Sequence, residues 1–89
     1  MGQIVRHAAA GTLESSDVYV ELEPHEGGIV IELESVVKRQ FGESILKSAE
    51  EVLSEQGVTS AKLIITDRGA LDCVIRARVE TAIARAKGE

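Results

Sequence analysis

Two stretches near the start of the chain alternate between apolar and polar residues. Every second residue is apolar: Val18, Val20 and Leu22 in the first stretch, and Ile29, Ile31 and Leu33 in the second. A period of two is typical of strands that bury one face. Because only residues 24–28 separate the two stretches, the pattern predicts that the two strands pair as an antiparallel hairpin.

A shorter strand-like segment, residues 9–14, precedes the first of these strands. It is followed by Ser15, Ser16 and Asp17, which are residue types that favour turns. We therefore expect a first hairpin here, with Ser15 at the bend. Together the three segments predict a three-stranded meander.

Beyond residue 35 the apolar positions recur at spacings of three and four, which is typical of an amphipathic helix. The stripe comprises Val37, Phe41, Ile45, Ala49, Val52 and Leu53. Ser35 is predicted to be the N-cap of this helix, and Gly57 is predicted to end it.

The last third of the chain predicts one more strand and one more helix. Residues 58–66 suit a strand with Leu63 and Ile65 facing inward. A second helical stripe follows, comprising Leu71, Val74, Ile75, Val79, Ala82, Ile83 and Ala86. The order β-β-β-α-β-α predicts an α+β two-layer sandwich, in which two helices cover one face of a mainly antiparallel four-stranded sheet. Outward glutamates on the strands indicate that the other face meets water.

Length and charge narrow the functional classes. A chain of 89 residues suits a single domain, residues 1–89, with residues 1–7 as a loosely held lead-in. The formal net charge of −5 argues against binding to nucleic acid or to an anionic membrane. We find no signal peptide and no apolar run of the roughly 20 residues that a membrane span needs.

Few residues suggest catalysis. His7 and His25 are predicted to be ordinary solvated residues, since neither neighbours a nucleophile in the sequence. Cys73 is the one cysteine in the sequence, so an internal disulfide is excluded, which is compatible with a reducing cytoplasm. Cys73 is predicted to be a small, partly buried packing residue. No spacing of histidines and cysteines indicates a metal site.

Ser15 is the remaining candidate for chemistry. A serine hydroxyl is a poor nucleophile without an adjacent base, so Ser15 is not predicted to act as a catalytic serine. On an exposed bend it is suited to be an acceptor that another enzyme modifies. The residues around it permit this role, but they equally suit a hairpin turn with no further role.

Three blocks of sequence resemble the acyl carrier proteins of citrate lyase. Residues 10–18 (AGTLESSDV) resemble the attachment segment of that family, residues 36–42 (VVKRQFG) its first helix, and residues 68–78 (RGALDCVIRAR) its final helix. The resemblance runs from residue 10 to residue 86 with the blocks in the family's order. The acyl carrier proteins of fatty-acid synthesis differ, since they are four-helix bundles with their serine in an Asp-Ser-Leu context.

The resemblance implies a non-catalytic carrier, the gamma chain of a cytoplasmic hetero-oligomer. In the family, the serine at the position of Ser15 carries 2′-(5″-phosphoribosyl)-3′-dephospho-CoA through a phosphodiester, and Ser16 is the adjacent alternative. The thiol of this arm carries acetyl and citryl groups while citrate is cleaved to acetate and oxaloacetate. The implied partners are the citrate lyase alpha and beta subunits, a prosthetic-group transferase and an acetylating ligase. Chain made without the modifying enzymes is expected to lack the arm.

Two other interpretations remain open at this stage. The carrier subunit of malonate decarboxylase is a relative with a similar arm and a different acyl substrate. An α+β interaction module that shares only the fold, and carries no arm, is the alternative from another class.

Overall fold

Four strands and two helices follow one another in the predicted order, β-β-β-α-β-α. A computed structural model describes residues 4–88. The elements are β1 (Ala8–Gly11), β2 (Val18–Glu23), β3 (Ile29–Ser35), α1 (Lys38–Glu55), β4 (Ala61–Asp67) and α2 (Asp72–Lys87). Both helices pack on one face of a four-stranded sheet, so the predicted α+β class is confirmed.

The strands lie in the order β1-β2-β4-β3, so β4 separates β2 from β3. β4 runs antiparallel to β2 and parallel to β3. The predicted hairpin between β2 and β3, and with it the three-stranded meander, is therefore wrong. The hairpin of β1 and β2 is confirmed, with Ala8 opposite Leu22 and Gly11 opposite Tyr19.

The loop of residues 24–28 crosses the start of β4 instead of turning back tightly. The Ala61 N–H donates to the Gly28 carbonyl at 3.1 Å, and the Gly28 N–H donates to Ser60 Oγ at 3.3 Å. Skipping one strand requires a span of about 10 Å, twice the strand spacing, which this loop can cover. Helix α1 then connects β3 to β4 as a parallel crossover.

The core lies between the sheet and the two helices. The fully buried side chains include Val18, Val20, Leu22, Leu63 and Ile65 from the sheet, and Val52, Leu53, Val79, Ala82 and Ile83 from the helices. Leu63 and Ile65 face inward as predicted. The opposite face of the sheet carries the glutamates of β2 and β3 and meets water, also as predicted.

The apolar stripe of α1 begins differently from the prediction. Phe41 is 55% exposed, whereas Gly42 is buried against β3, where a Cβ on residue 42 would lie 3.8 Å from a methyl carbon of Leu33. Helical spacing allows either three or four residues before Ile45, and the backbone of Gly42 takes the inward position. The prediction that Phe41 is part of the buried stripe is therefore wrong.

The start of α1 also differs, whereas its end is as predicted. The helix begins after Val37, and Ser35 lies at the end of β3, so the predicted N-cap is wrong. Gly57, at φ +74°, donates its N–H to the Ser54 carbonyl, and Val58 donates to the Leu53 carbonyl. These two bonds form a Schellman motif, which a glycine at this position favours.

Residues 4–7, expected to be loosely held, pack against the end of α2. Ile4 is buried, and the N–H groups of Val5 and Arg6 donate to the Ala86 carbonyl at 3.0 and 3.2 Å. The rest of the predicted lead-in, residues 1–3, lies outside the described residues.

Gly11 ends β1 at a point where two backbones meet closely. Its φ is +96°, and a Cβ placed on it would lie 1.9 Å from the Val18 carbonyl oxygen. Only glycine fits this contact, because the carbonyl belongs to the facing strand and is not free to move. The close approach brings the two ends of the β1–β2 loop together.

We predict that Gly11→Ala lowers the free energy of unfolding much more than Gly27→Ala does. Gly27 has almost the same φ, +98°, but nothing lies within 4 Å of a Cβ placed on it. Both variants bear the strain of a positive φ, and only Gly11→Ala adds a clash of about 1–3 kcal/mol. Urea unfolding of the two variants measures the difference, and equal losses would contradict the predicted close packing at Gly11.

Candidate functional site

Ser15 is exposed at the tip of the loop that joins β1 to β2. The Asp17 N–H donates to the Glu14 carbonyl at 3.1 Å, which closes a β-turn with Ser15 and Ser16 at its two central positions. The prediction that Ser15 lies at a bend between two strands is confirmed. Its hydroxyl is open to an incoming protein.

Ser16 is exposed as well, but its backbone is constrained. Its φ is +67°, the left-handed region that glycine and asparagine favour and that costs other residues about 1 kcal/mol or more. The Ser16 N–H donates to the Arg68 carbonyl at 2.8 Å, and the Arg68 N–H donates to the Asp17 carbonyl at 2.9 Å. The loop after β4 therefore holds the second half of the turn.

The carboxylate of Asp17 forms the centre of the turn's hydrogen bonding. Thr12 Oγ1 donates to Oδ2 at 2.6 Å, and the Val18 N–H donates to Oδ1 at 2.7 Å. From helix α2, Arg78 donates through Nη2 to Oδ2 at 3.0 Å and through Nε to Oδ1 at 3.3 Å. Only 16% of the Asp17 side chain is exposed. The loop is thus connected to α2 by a two-pronged ion pair.

These bonds lower the pKa of the Asp17 carboxyl from its ordinary value of 3.8 to about 2. The hydrogen bond from Thr12 is the largest cause, followed by the bonds from the Val18 N–H and from Arg78. All of them stabilise the charged form. Asp17 is consequently an anion at any physiological pH.

A second carboxylate, the buried Asp67, organises the end of β4 beside the turn. Asp67 is 1% exposed. Its Oδ2 accepts from Ser35 Oγ at 2.7 Å, and its Oδ1 accepts from the Ala70 N–H at 3.0 Å. These bonds link the end of β3, the end of β4 and the loop to α2. The pattern of apolar and polar residues does not indicate this role, because it does not show which side chains meet an aspartate at the end of a strand.

An apolar groove of about 410 Å³ lies between the first turns of the two helices. Val37, Phe41, Leu71 and Ile75 are among its lining residues, and Leu71 is 71% exposed. Its wall includes Gly69, in the same loop that holds the serine turn. The groove and Ser15 are therefore at the same end of the molecule.

The other residues considered for chemistry lie outside the serine turn. His7 is exposed, with its Nε2 3.2 Å from Glu21 Oε2 on β2, and His25 is exposed in the loop before β3. Cys73 is exposed, so the prediction of a partly buried packing residue is wrong. It lies in the first turn of α2, whose inward positions are taken by larger apolar side chains such as Ile75.

Two classes of feature are absent from residues 4–88. No three side chains of His, Cys, Asp or Glu are grouped so that they could hold a metal ion. In the same residues, neither helix has the length and apolar character needed to cross a membrane.

We predict that acid titration of Asp17 destabilises the fold in a defined pH window. Because the folded pKa is depressed, the stabilisation is present above pH 3.8 and is lost as the pH falls from 3.8 to about 2. Urea unfolding measures the free energy of unfolding from about pH 5 downward. This free energy should fall less in Asp17→Asn than in the chain without substitutions. A carboxyl ¹³C titration of Asp17 with its midpoint near 3.8 would contradict the geometry. Asp72, whose pKa is also lowered, titrates in both proteins and cancels in the comparison.

Sequence comparison gives consistent matches over nearly the whole chain. The model of the family described as "ACP: Malonate decarboxylase delta subunit (MdcD)" matches residues 5–86. The citrate lyase acyl carrier protein of Escherichia fergusonii is 54% identical over 85 residues, which cover 94% of this chain and 88% of that protein. The citrate lyase acyl carrier protein of Rhodopseudomonas palustris is 53% identical over 87 residues, which cover 98% and 90%.

The fold agrees with these matches. One chain in the crystal structure of a Pseudomonas malonate decarboxylase hetero-tetramer in complex with malonate superposes with a TM-score of 0.82. It is 26% identical, and the match covers 96% of this chain and 89% of that one. With about half of its residues identical to citrate lyase carriers, the chain belongs to the citrate lyase acyl carrier protein family, a relative of the malonate decarboxylase delta subunit, and it is a non-catalytic carrier subunit.

Proposed function

We propose that this chain is a single acyl carrier domain, the gamma chain of a cytoplasmic citrate lyase complex, and that its prosthetic arm is attached to Ser15. One observation carries the proposal. An exposed serine is at the tip of a well-held turn, in a chain that is 54% identical to a citrate lyase acyl carrier protein. The turn offers a hydroxyl to a modifying enzyme.

Ser15 is preferred over Ser16 as the acceptor for two reasons. It occupies the position of the modified serine in the Leu13-Glu14-Ser15 segment that resembles the family. Its neighbour Ser16 is held in the left-handed region, with its N–H bonded to Arg68. Ser15, at the first central position of the turn, is therefore the serine whose side chain is proposed to carry the arm.

The site suits a long covalent group. The arm, 2′-(5″-phosphoribosyl)-3′-dephospho-CoA, would be joined by a phosphodiester and, when bound, supplies a terminal thiol that carries acyl groups as thioesters. In the joining reaction, Ser15 Oγ would bond to the α-phosphorus of a 5″-triphosphate donor, and the bond from that phosphorus to the leaving pyrophosphate would break. The serine proton passes to a base on the transferase. A base supplied by the transferase would make an activating base on this chain unnecessary.

The chain's own contribution is to tether and orient. A covalently linked thiol reaches successive active sites at a high effective concentration without dissociating. One partner subunit would exchange acetyl for citrate with release of acetate, and a second would release oxaloacetate and restore the acetyl form. A separate ligase would acetylate the arm at the outset. The sum of the two steps is citrate giving acetate and oxaloacetate.

A malonate decarboxylase carrier is the second candidate. It is favoured by the family model that matches residues 5–86 and by the TM-score of 0.82 to a chain of a malonate decarboxylase. The identity of 26% to that chain, against 54% to the citrate lyase carrier, supports citrate lyase. Reconstitution of the modified chain with the alpha and beta subunits of citrate lyase, and separately with malonate decarboxylase subunits, distinguishes the two by the substrate consumed.

We predict that Ser15→Ala abolishes attachment of the arm, whereas Ser16→Gly does not. Ser16→Gly removes the second hydroxyl and keeps the turn, because glycine adopts a φ of +67° readily. Each chain is incubated with the transferase and its donor, and the intact mass is recorded. The stability of Ser15→Ala should change by less than about 0.5 kcal/mol, as is usual for an exposed turn position.

Activity supplies the second readout of the same pair. A complex containing Ser15→Ala should not cleave citrate, and one containing Ser16→Gly should cleave it. Attachment at Ser15 would be contradicted if Ser15→Ala gained the mass of the arm. It would also be contradicted if Ser16→Gly failed to gain that mass. If the chain without substitutions gains no mass, the interpretation of the protein as an interaction module without an arm is favoured.

A further inference from the structure

We propose that the Asp17–Arg78 ion pair positions Ser15 for modification, by holding the loop in the shape that the transferase accepts. The inference rests on the proposed function of Ser15 as the acceptor. It adds two positioning residues, one of them on helix α2, to a site that the sequence places in a single loop.

The loop between β1 and β2 needs support beyond its own strands. Residues 12–17 form a longer connection than the tightest two-residue hairpin turns. Strand pairing reaches only to its mouth, where the Thr12 N–H donates to the Val18 carbonyl at 3.2 Å. Backbone bonds to Arg68 hold Ser16 and Asp17 in the second half of the turn, and the first half is held by bonds that the side chains of Thr12 and Asp17 make.

A continuous series of hydrogen bonds runs from α2 to the residue before Ser15. Arg78 donates twice to Asp17, and Asp17 accepts from Thr12 Oγ1. Thr12 Oγ1 in turn accepts from the Glu14 N–H at 3.2 Å. Asp17 thus connects the last residue of the loop with its first, and Arg78 fixes that carboxylate from outside.

Arg78 is itself well placed for this role. Its Cδ would lie 3.3 Å from a Cβ on Gly11, so its aliphatic stem packs over the end of β1. The whole Arg78 side chain is 39% exposed. A planar guanidinium can hold both oxygens of a carboxylate in one orientation, and a lysine ammonium cannot. Arg78→Lys therefore keeps the charge and removes the orientation.

Asp72 provides a matched control within the same chain. Like Asp17, it accepts a hydrogen bond from a hydroxyl, Ser48 Oγ, and another from an arginine, with Arg76 Nε at 3.0 Å. Hydrogen bonding to Ser48 is the largest cause of a lowered Asp72 pKa, just as hydrogen bonding to Thr12 is for Asp17. The bonds of Asp72 join α2 to α1 and do not reach the serine loop. Asp72→Asn removes a comparable charge from a different place.

The experiment measures modification by the transferase as a function of carrier concentration, with intact mass as the readout. Asp17→Asn and Arg78→Lys should each raise KM by about ten-fold or more, because only a fraction of the molecules then present the accepted loop shape. Asp72→Asn should leave KM within about two-fold of the unmodified sequence, because the loop keeps its shape. Once bound, the loop is held by the enzyme, so kcat should change little in all three variants.

Amide relaxation of Ser15 and Ser16 gives a readout that global stability does not move. In Asp17→Asn and Arg78→Lys the order parameters of these two amides should fall below about 0.6, while the sheet remains rigid. All rates are measured at a temperature at which thermal melting shows each variant folded. If Asp17→Asn does not fold, Arg78→Lys carries the test.

The outcomes separate this inference from the proposed function. If the chain without substitutions never gains the arm, the proposed function is overturned, and the positioning role is overturned with it. If the unsubstituted chain gains the arm and both loop variants have the same KM as that chain, only the positioning role is overturned. An equal rise in KM for Asp72→Asn also overturns it, because the loss would then reflect general destabilisation.

Discussion

The placement of β4 between β2 and β3 is the constraint on which the other features depend. β4 is hydrogen-bonded along both edges, antiparallel to one neighbour and parallel to the other. Its last residue, Asp67, receives the side chain of Ser35 and the N–H of Val36, and the next residue, Arg68, pairs with the loop that carries Ser15. The end of one central strand thus sets the start of α1, the approach to α2 and the second half of the serine turn. A loop that would otherwise project from a two-stranded edge is held by the middle of the sheet.

The carrier role explains where this chain is rigid and where it is open. In the proposed role, the chain supplies one exposed hydroxyl for another protein to modify and a rigid support beneath it. Asp17 stays ionised because four hydrogen bonds stabilise its negative charge. The network is satisfied within the loop and α2, and the tip is left clear. Rigidity around Ser15, the proposed attachment point, would limit the range of positions from which a long arm starts.

Local patterns predict which strands and helices form better than they predict which of these elements lie side by side. The alternation in β2 and β3 identified two strands correctly, but a period of two describes which face is buried and not which strand lies alongside. Phe41 was misassigned because three-residue and four-residue spacings both suit a helix, and the choice was decided by Gly42 packing against β3. The position of Ser15 could be predicted, because turn residues mark a bend. Its support could not, since Arg78 is 61 residues from Asp17 in the chain and reads as one more outward charge on a helix.

The contact of Val5 and Arg6 with Ala86 has a practical consequence for handling the molecule. It brings the first and last described segments together at the far end of the sheet, about 20 Å, one strand length, from the serine turn. The loop of residues 24–28 lies at that same far end. A circular permutant that joins residues 4 and 88 through a short linker and opens the chain at this loop would retain every strand pairing. Fluorophores or surface anchors fixed at the new ends would then leave the end of the molecule that carries Ser15 facing solution.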